Sequence, residues 1–316
     1  MIKTLCALLG MSLGLCVQAA DYAYITNQGE DSVSVVDLQL QQVVNTIKVG
    51  KAPVGVAVDK VNQKVYVSNV EGRSLSVIDM QRQQLANTIA LPIAPVGITV
   101  SHRGDRAYVA DWYHDTLLVV ATDDGRIIAQ VKVGNAPAGM QLSLDDATLY
   151  VANRDSNDVS VVDTRQNKER RRIPVGQHPF GLSLSPSGRQ LFVVNVYSNS
   201  VSVVDTHDDK VVTTLAVGDH PYCATTDHRG QRLFVTNTGE DSVTVIDLAS
   251  RRTTGKIRVP GTPEGIAYDA VRQQILVASW MDNELAVIDD SSQVLKSAIK
   301  VGSQPRAFGQ LIGHAP

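Results

Sequence analysis

Short runs of alternating apolar and polar residues fill the chain, and the same pattern of runs returns every 42 residues. The run Tyr66-Val67-Ser68-Asn69 has counterparts at 24–27, 108–111, 150–153, 192–195, 234–237 and 276–279. A second run, Ser76-Val77-Ile78-Asp79, returns in the same register at 34–37, 118–121, 160–163, 202–205, 244–247 and 286–289. Short runs rich in Val, Ile, Thr and Tyr, separated by Gly, Pro, Asn and Asp, predict β-strands.

Each repeat contains four such runs, and a period of about 40 to 45 residues with four strands is typical of propeller blades. A twisted four-stranded sheet has two apolar faces, and blades stacked around an axis cover both of them. Seven repeats account for nearly all of residues 21–316. The sequence therefore predicts an all-β fold: one domain over 21–316, a seven-bladed β-propeller with four antiparallel strands per blade.

The two ends of this domain predict how the ring closes. In the repeat register, residues 22–26 form a second strand and residues 306–311 form an inner strand. We therefore expect one blade to be shared between the termini, built from residues 307–312 together with 22–49.

The first twenty residues have the features of a signal peptide. Lys3 supplies a positive charge, residues 5–17 carry no charge, and Gln18-Ala19-Ala20 is a small-residue cleavage context. We expect a periplasmic or secreted protein without a membrane span in the mature chain. Cleavage after residue 20 leaves Cys223 as its one cysteine, so an internal disulfide is excluded.

The repeated residues resemble those of a known family. The Tyr-Val-Thr-Asn run, the Ser-Val-Val-Asp run and the Val-Gly-x-x-Pro-x-Gly motif, as in residues 133–139, are similar to the YVTN family of β-propeller repeat proteins, of the exported bacterial type. The resemblance covers the whole mature chain. It implies the fold but no single reaction, because the family is functionally heterogeneous. It includes exported bacterial propellers of unknown role, archaeal surface-layer proteins and accessory proteins of quinoprotein or haem enzymes. A more distant similarity extends to seven-bladed lactonases and to propellers that carry haem d1 or support amine dehydrogenases.

Residues that return in most repeats are interpreted as structural. The Asp that closes the third strand and the Asn of the signature run are predicted to stabilise turns. A proline that opens each inner strand occurs at positions 53, 95, 137, 179, 221, 263 and 305. The glycine two residues later is replaced by Cys223 and Ala307, so we expect it to provide room near the axis rather than a positive φ.

The net charge of the chain argues against one class of partner, nucleic acid. The chain has 29 Lys and Arg against 32 Asp and Glu, a formal net charge of −3. Duplex nucleic acid is not expected as a partner, because such a binder needs a basic face. We expect a monomer that binds a protein partner or a small ligand.

The repeats differ from one another mainly in loops that should emerge on one face, around the mouth of the axial channel. The loops before the inner strands and those between second and third strands carry large or polar residues in only some repeats. These candidate ligand-binding residues are Trp112, His114, Arg154, His178, Phe180, Tyr197, His220, Tyr222, Glu264, Trp280 and Arg306. An asymmetric set of this kind is typical of a binding site on a symmetric scaffold. Drift in solvent-exposed loops is the alternative.

His178, His220 and Cys223 are candidate metal ligands. Two imidazoles from neighbouring blades have the reach to share Zn or Cu, or to contact haem. Against a metal, the chain lacks a His-x-x-x-His or Cys-x-x-Cys spacing, and Cys223 is also typical of a core thiol.

Two function classes stay open. The favoured one is a non-enzymatic exported propeller, an accessory factor of a periplasmic redox or metalloenzyme system that binds its partner or ligand at the loop face. The alternative is an enzyme or a cofactor- or metal-handling propeller, lactonase-like or haem-binding, with His178, His220, Glu264 and Arg306 as acid–base and anion-binding groups. We assign no catalytic residue, because phosphate loops, dinucleotide fingerprints, covalent haem motifs and HExxH motifs are absent from the sequence.

Overall fold

The computed structural model describes residues 21–314, which form seven four-stranded antiparallel blades around an axis. The predicted fold class is confirmed. The predicted signal peptide, residues 1–20, lies outside the described residues. Apart from one 3₁₀ turn, Gln28–Glu30, the regular elements between 21 and 314 are strands. No helix in that range is long and apolar enough to cross a membrane.

Each blade contributes one strand to each of four concentric positions. The second strands are β1 (Asp21–Asn27), β5 (Lys64–Asn69), β9 (Arg106–Asp111), β13 (Thr148–Asn153), β17 (Gln190–Asn195), β21 (Arg232–Asn237) and β25 (Gln274–Ser279). The third strands are β2 (Ser32–Asp37), β6 (Ser74–Asp79), β10 (Thr116–Ala121), β14 (Asp158–Asp163), β18 (Ser200–Asp205), β22 (Ser242–Asp247) and β26 (Glu284–Asp289). These two positions are buried almost throughout and form the core between blades.

The remaining strands lie at the axis and at the rim. The inner strands are β4 (Pro53–Asp59), β8 (Pro95–Val100), β12 (Pro137–Leu142), β16 (Pro179–Leu184), β20 (Pro221–Thr226) and β24 (Pro263–Asp269), with β28 (Phe308–Gln310) and β29 (Ile312–His314) at the end of the chain. The outer strands are β3 (Gln42–Lys48), β7 (Gln84–Ala90), β11 (Ile127–Lys132), β15 (Lys168–Pro174), β19 (Lys210–Ala216), β23 (Arg252–Arg258) and β27 (Val294–Lys300).

Ring closure differs from the prediction in its register. The shared blade exists, but its inner strand is β29, which pairs with residues 21–23. Residues 308–310, predicted to belong to that strand, pair in parallel with β4 of the next blade. The reason is two extra residues: Val58 meets its partner Val65 five positions after Pro53, whereas Ile312 meets Ala23 seven positions after Pro305. Gly309 permits the detour with a φ of 121°.

The repeated residues are structural, as predicted, although the Asn acts in an unexpected way. Asp37 Oδ1 accepts the backbone N–H groups of Gln39 and Leu40 at 2.8 Å, which confirms the turn cap. Asn27 is fully buried, and its Nδ2 donates to Ser32 Oγ and Ser34 Oγ at 2.9 Å. The Asn therefore bridges the second and third strands inside the blade, where buried polar groups need partners.

The inner-strand glycines provide room, as predicted. A Cβ on Gly55 or on Gly181 would lie 2.6 Å from a carbonyl oxygen of the next inner strand. The φ angles of both are unremarkable for any residue. Adjacent blades thus approach closely at this level.

Candidate functional site

Both predicted sets of loops emerge on one face, called here the loop face. In six of the seven repeats described, backbone hydrogen bonds tie the loop after the second strand to the loop before the inner strand, as from Tyr197 N to Gln177 O (3.2 Å) and from Trp280 N to Thr262 O (3.0 Å). In the seventh, Trp112 is placed on the same face by its packing on Phe180. The candidate residues are therefore not scattered over opposite sides of the molecule.

In six blades, the residue before the inner-strand proline is held by a side chain from the neighbouring loop. His178 and His220 have φ angles of 53° and 48°, a conformation that is uncommon for residues other than glycine. Their backbone N–H groups donate to Asn157 Oδ1 (2.9 Å) and Asn199 Oδ1 (3.0 Å). The same bond occurs in four other blades, where the acceptors are Asp31, Asp115, Asp241 and Asn283. These carboxamides and carboxylates fix where each residue enters the loop face.

Five candidate residues form one continuous surface, called here the aromatic patch: Trp112, Arg154, His178, Tyr197 and His220. The Arg154 guanidinium carbon lies 5.4 Å from the Trp112 ring centroid and 6.0 Å from that of Tyr197. Tyr197 stacks on His178 at 4.0 Å and meets the edge of His220 at 5.9 Å. The Tyr197 side chain is 54 % exposed. The patch is therefore a pre-arranged aromatic and cationic surface, of the composition found at interface hot spots.

Below the patch, three aromatic residues close the axis, and we call them the aromatic plug. Phe180 lies 4.2 Å from Tyr222 and 4.8 Å from Phe308, centroid to centroid. Trp112 of the patch packs on Phe180 at 6.2 Å. The expected channel mouth at the loop face is therefore filled by packed side chains, and this part of the prediction is wrong. Sequence reasoning missed Phe308 because the two extra residues shift it out of the repeat register.

Glu264 and Arg306 face each other beside the plug. Arg306 Nη1 donates to both carboxylate oxygens of Glu264 at 2.9 Å, and Nε donates to Gln28 Oε1 at 2.6 Å. The Arg306 guanidinium also lies 5.9 Å from the Trp280 ring centroid. Burial raises the pKa of the Glu264 carboxyl to about 7, and Arg306 offsets part of that rise. This pair is internally satisfied, so neither group is directed at an open pocket.

His114 and Cys223 lie apart from these contacts. His114 Nδ1 is 2.7 Å from Oδ2 of buried Asp111, which occupies the Asn position of that repeat. Cys223 is a buried free thiol in β20, as expected for a core cysteine, and burial raises the pKa of its thiol.

The structure does not assemble the suggested metal site. Tyr197 packs against both His178 and His220, and Cys223 lies in the core. Within residues 21–314, no group of three or more His, Cys, Asp or Glu side chains is arranged to hold a metal ion. Zn, Cu or haem contact at these residues therefore has no geometric support.

The axial channel is open at the other end of the ring. A cavity of about 390 Å³ begins beneath Phe308 and extends to Lys60 and His102 on the face opposite the loop face. Its walls are the C-terminal halves of inner strands together with residues 308–312. No sequence signal at the loop face indicates this cavity.

Comparisons with known proteins support the fold. A family model described as YNCE-like beta-propeller matches residues 201–316, and one described as Lactonase, 7-bladed beta-propeller, matches residues 129–219. Each covers less than half of the chain, so together they show a seven-bladed propeller and no narrower family. A search of curated proteins finds no match.

Solved structures show the same architecture at low identity. Hydrazine synthase of Kuenenia stuttgartiensis aligns with a TM-score of 0.74 and 20 % identity, over 81 % of this chain and 88 % of that one. A functionally unknown protein from Desulfotomaculum acetoxidans DSM 771 aligns with a TM-score of 0.78 and 14 % identity, over 93 % of this chain and 99 % of that one. At such identities the likeness shows the fold alone.

Proposed function

We propose that this protein is an exported, monomeric, non-enzymatic propeller that docks a protein partner on the aromatic patch of its loop face. The observation that carries the proposal is the stacked arrangement of Tyr197, Arg154 and Trp112 at the surface. Tyr, Trp and Arg dominate interface hot spots, and their fixed positions reduce the entropy lost on binding.

A docking role also agrees with the shape of the face. The aromatic plug fills the axis below the patch, so a partner meets a surface rather than a deep pocket. Arg154 is paired with Asp155 at 2.7 Å, and His220 Nδ1 lies 3.0 Å from Asp219, so the patch has little net charge. We therefore infer a protein partner that presents aromatic and mixed polar groups, in a periplasmic redox or metalloenzyme system.

Site-specific cross-linking tests this proposal. A photoreactive residue placed at Tyr197 should cross-link one defined protein in the periplasm of the native host, whereas the same residue at Val271, exposed on the opposite face, should not. Equal cross-linking from both positions, or none from Tyr197, contradicts docking at the patch.

Binding of the captured partner then tests the residues. The double substitution Trp112→Ala and Arg154→Ala should weaken binding at least about tenfold, since a hot-spot residue contributes about 2 kcal/mol or more. The matched control is Tyr113→Ala, which removes a 68 % exposed tyrosine of the same loop. An equal loss in the control contradicts a role specific to the patch.

Export and oligomeric state have separate tests. Protein recovered from the periplasmic fraction should begin at Asp21 and have the mass of a monomer by light scattering. A chain that keeps residues 1–20 and stays in the cytoplasm contradicts the export part of the proposal.

The second candidate is an enzyme, and one observation favours it. Burial raises the pKa of Glu264 to about 7, in the range that suits general acid–base catalysis. The lactonase model matches residues 129–219, a stretch that does not include Glu264. Hydrolysis of a panel of γ- and δ-lactones that is lost in Glu264→Gln would overturn the non-enzymatic proposal.

A further inference from the structure

The cavity on the face opposite the loop face has an apolar floor and a band of polar side chains above it. Phe308 and the inner-strand glycines form its floor. The next residue position in the strands is apolar and comprises Ile98, Met140, Leu182, Ala224 and Ile266. The position after that is polar in four successive blades, as Thr99, Gln141, Ser183 and Thr225, and is Ala267 in the next blade. Further towards the opening, the lining includes Val58, Val100 and Tyr268.

The detour of the chain end completes this layering. Because β28 runs parallel to β4, Gly309 lies opposite Val56, at the apolar level, and Gln310 lies opposite Ala57, at the polar level. Gln310 therefore supplies an amide in a blade whose own strand offers only alanine. The residues that break the repeat build one wall of the cavity.

The residues that line the opening of the cavity include basic but no acidic side chains. None of the residues that line the cavity is Asp or Glu, whereas Lys60 and His102 stand at its rim, at the same position of adjacent repeats. The ring of His102 is fixed by Asp146, whose Oδ1 lies 2.6 Å from Nδ1, and this buried carboxylate offsets any charge on the imidazole. Lys60 forms no ion pair within residues 21–314, so it is the uncompensated cation of the rim.

We propose that this cavity binds a small organic monocarboxylate with a hydrocarbon tail. The tail lies against the apolar layer above Phe308, the hydroxyl and amide layer surrounds the middle of the molecule, and the carboxylate meets Lys60. The volume of about 390 Å³ equals roughly a dozen water-sized volumes of about 30 Å³ and lies in the range of small-molecule sites. This site is separate from the aromatic patch, so it does not depend on the proposed docking function.

Octanoate is the probe, and octanol and glucose are its controls. Titration calorimetry of the purified chain should give a Kd of about 0.1 to 1 mM for octanoate, as expected for a ligand of this size. Octanol has the tail without the charge and should bind about fivefold more weakly or worse, and glucose should not bind. Equal binding of octanol overturns the anionic class, and binding of glucose alone overturns the amphiphilic one. Absence of octanoate binding overturns the site.

Two substitutions place the ligand in the cavity. Lys60→Met should weaken octanoate binding about fivefold. Lys132→Met should leave it unchanged, because this exposed lysine of β11 forms no ion pair within residues 21–314 and does not line the cavity. Gln141→Trp should abolish binding by filling the cavity at its polar level. An unchanged Kd in Lys60→Met, or equal losses in both lysine variants, contradicts the proposal even if Gln141→Trp does not fold.

Discussion

The two ends of the axial channel are built from the same strands and yet differ in kind. At the loop face the channel is filled by Phe180, Tyr222 and Phe308, and the surface above them is aromatic. At the opposite end the same strands leave a cavity with a polar layer and a cationic rim. A few packed aromatic rings therefore separate the proposed docking surface from the proposed ligand cavity on one scaffold. Phe308 takes part in both, because its ring packs in the plug and also forms the cavity floor.

We expect the largest effect from removal of the chain segment that contributes to both ends of the axial channel. Deletion of the last ten residues removes Phe308 and the inner strand β29, so one blade keeps three strands and the ring opens. We expect the ring to unfold, because β1 loses its partner β29, β4 loses its partner β28, and the total stability of a domain is only about 5 to 15 kcal/mol. Circular dichroism during heating checks this result. A chain that lacks only residues 315–316 is the control, and an unchanged melting temperature in the longer deletion contradicts ring closure by the chain end.

Removal of the plug from the loop-face side should have the next largest effect. Phe180→Ala leaves a void above the cavity floor and should lower the free energy of unfolding by about 3 to 5 kcal/mol. Tyr197→Ala, an exposed aromatic in the patch, should cost less than about 1 kcal/mol. Denaturant unfolding of both variants gives the comparison, and similar losses would show that the plug is not packed as described.

The buried ion pair of Glu264 and Arg306 should make the stability of the protein depend on pH. Because burial raises the pKa of Glu264 from 4.5 to about 7, the folded state binds more protons than the unfolded state between these values. Rising pH therefore lowers stability across this window, by at most about 3 kcal/mol. The Glu264→Gln variant should lack this decline. Unfolding free energies of both proteins at pH 4 and pH 8 provide the test, and parallel pH profiles contradict the raised pKa.

The smallest effect is expected at the cavity rim. Lys60 is exposed and forms no ion pair among the described residues, so Lys60→Met should change the unfolding free energy by less than about 0.5 kcal/mol. Chemical denaturation with the Lys132→Met variant alongside it checks this value. A larger loss for Lys60→Met alone contradicts a rim lysine without a structural role.

The fold was predictable from sequence because each repeat carries its own complete pattern. The spacing between Asn69 and Asp79 returns every 42 residues and marks the second and third strands of each blade. Because every repeat carries this pattern, the number of strands and of blades can be derived from the sequence. The shared blade followed from the same register. The exact strand pairing of that blade was not predicted. Ile312 lies seven residues after Pro305, with Gly309 between them, whereas the corresponding distance in the other repeats is five residues.

The candidate site was predictable only in part. The aromatic patch came from positions where the repeats differ, such as His178 and His220. Which of these side chains would touch depended on rotamers and on Tyr197, which no repeat pattern specifies. The cavity was missed since Thr99 and Ser183 are ordinary strand residues, and their alignment around the axis appears only when blades from distant parts of the chain meet.

The Asn157 and Asn199 side chains accept hydrogen bonds from the backbone N–H groups of the residues before the prolines. These bonds fix the backbone and do not depend on which side chain that residue carries. Six blades of the described ring hold that residue in the left-handed region through the same acceptor, whether the residue is Ala, His, Thr or Gln. These positions therefore form a ready frame for combinatorial libraries, in which new side chains are varied at six points of one circle while the backbone that displays them is left untouched.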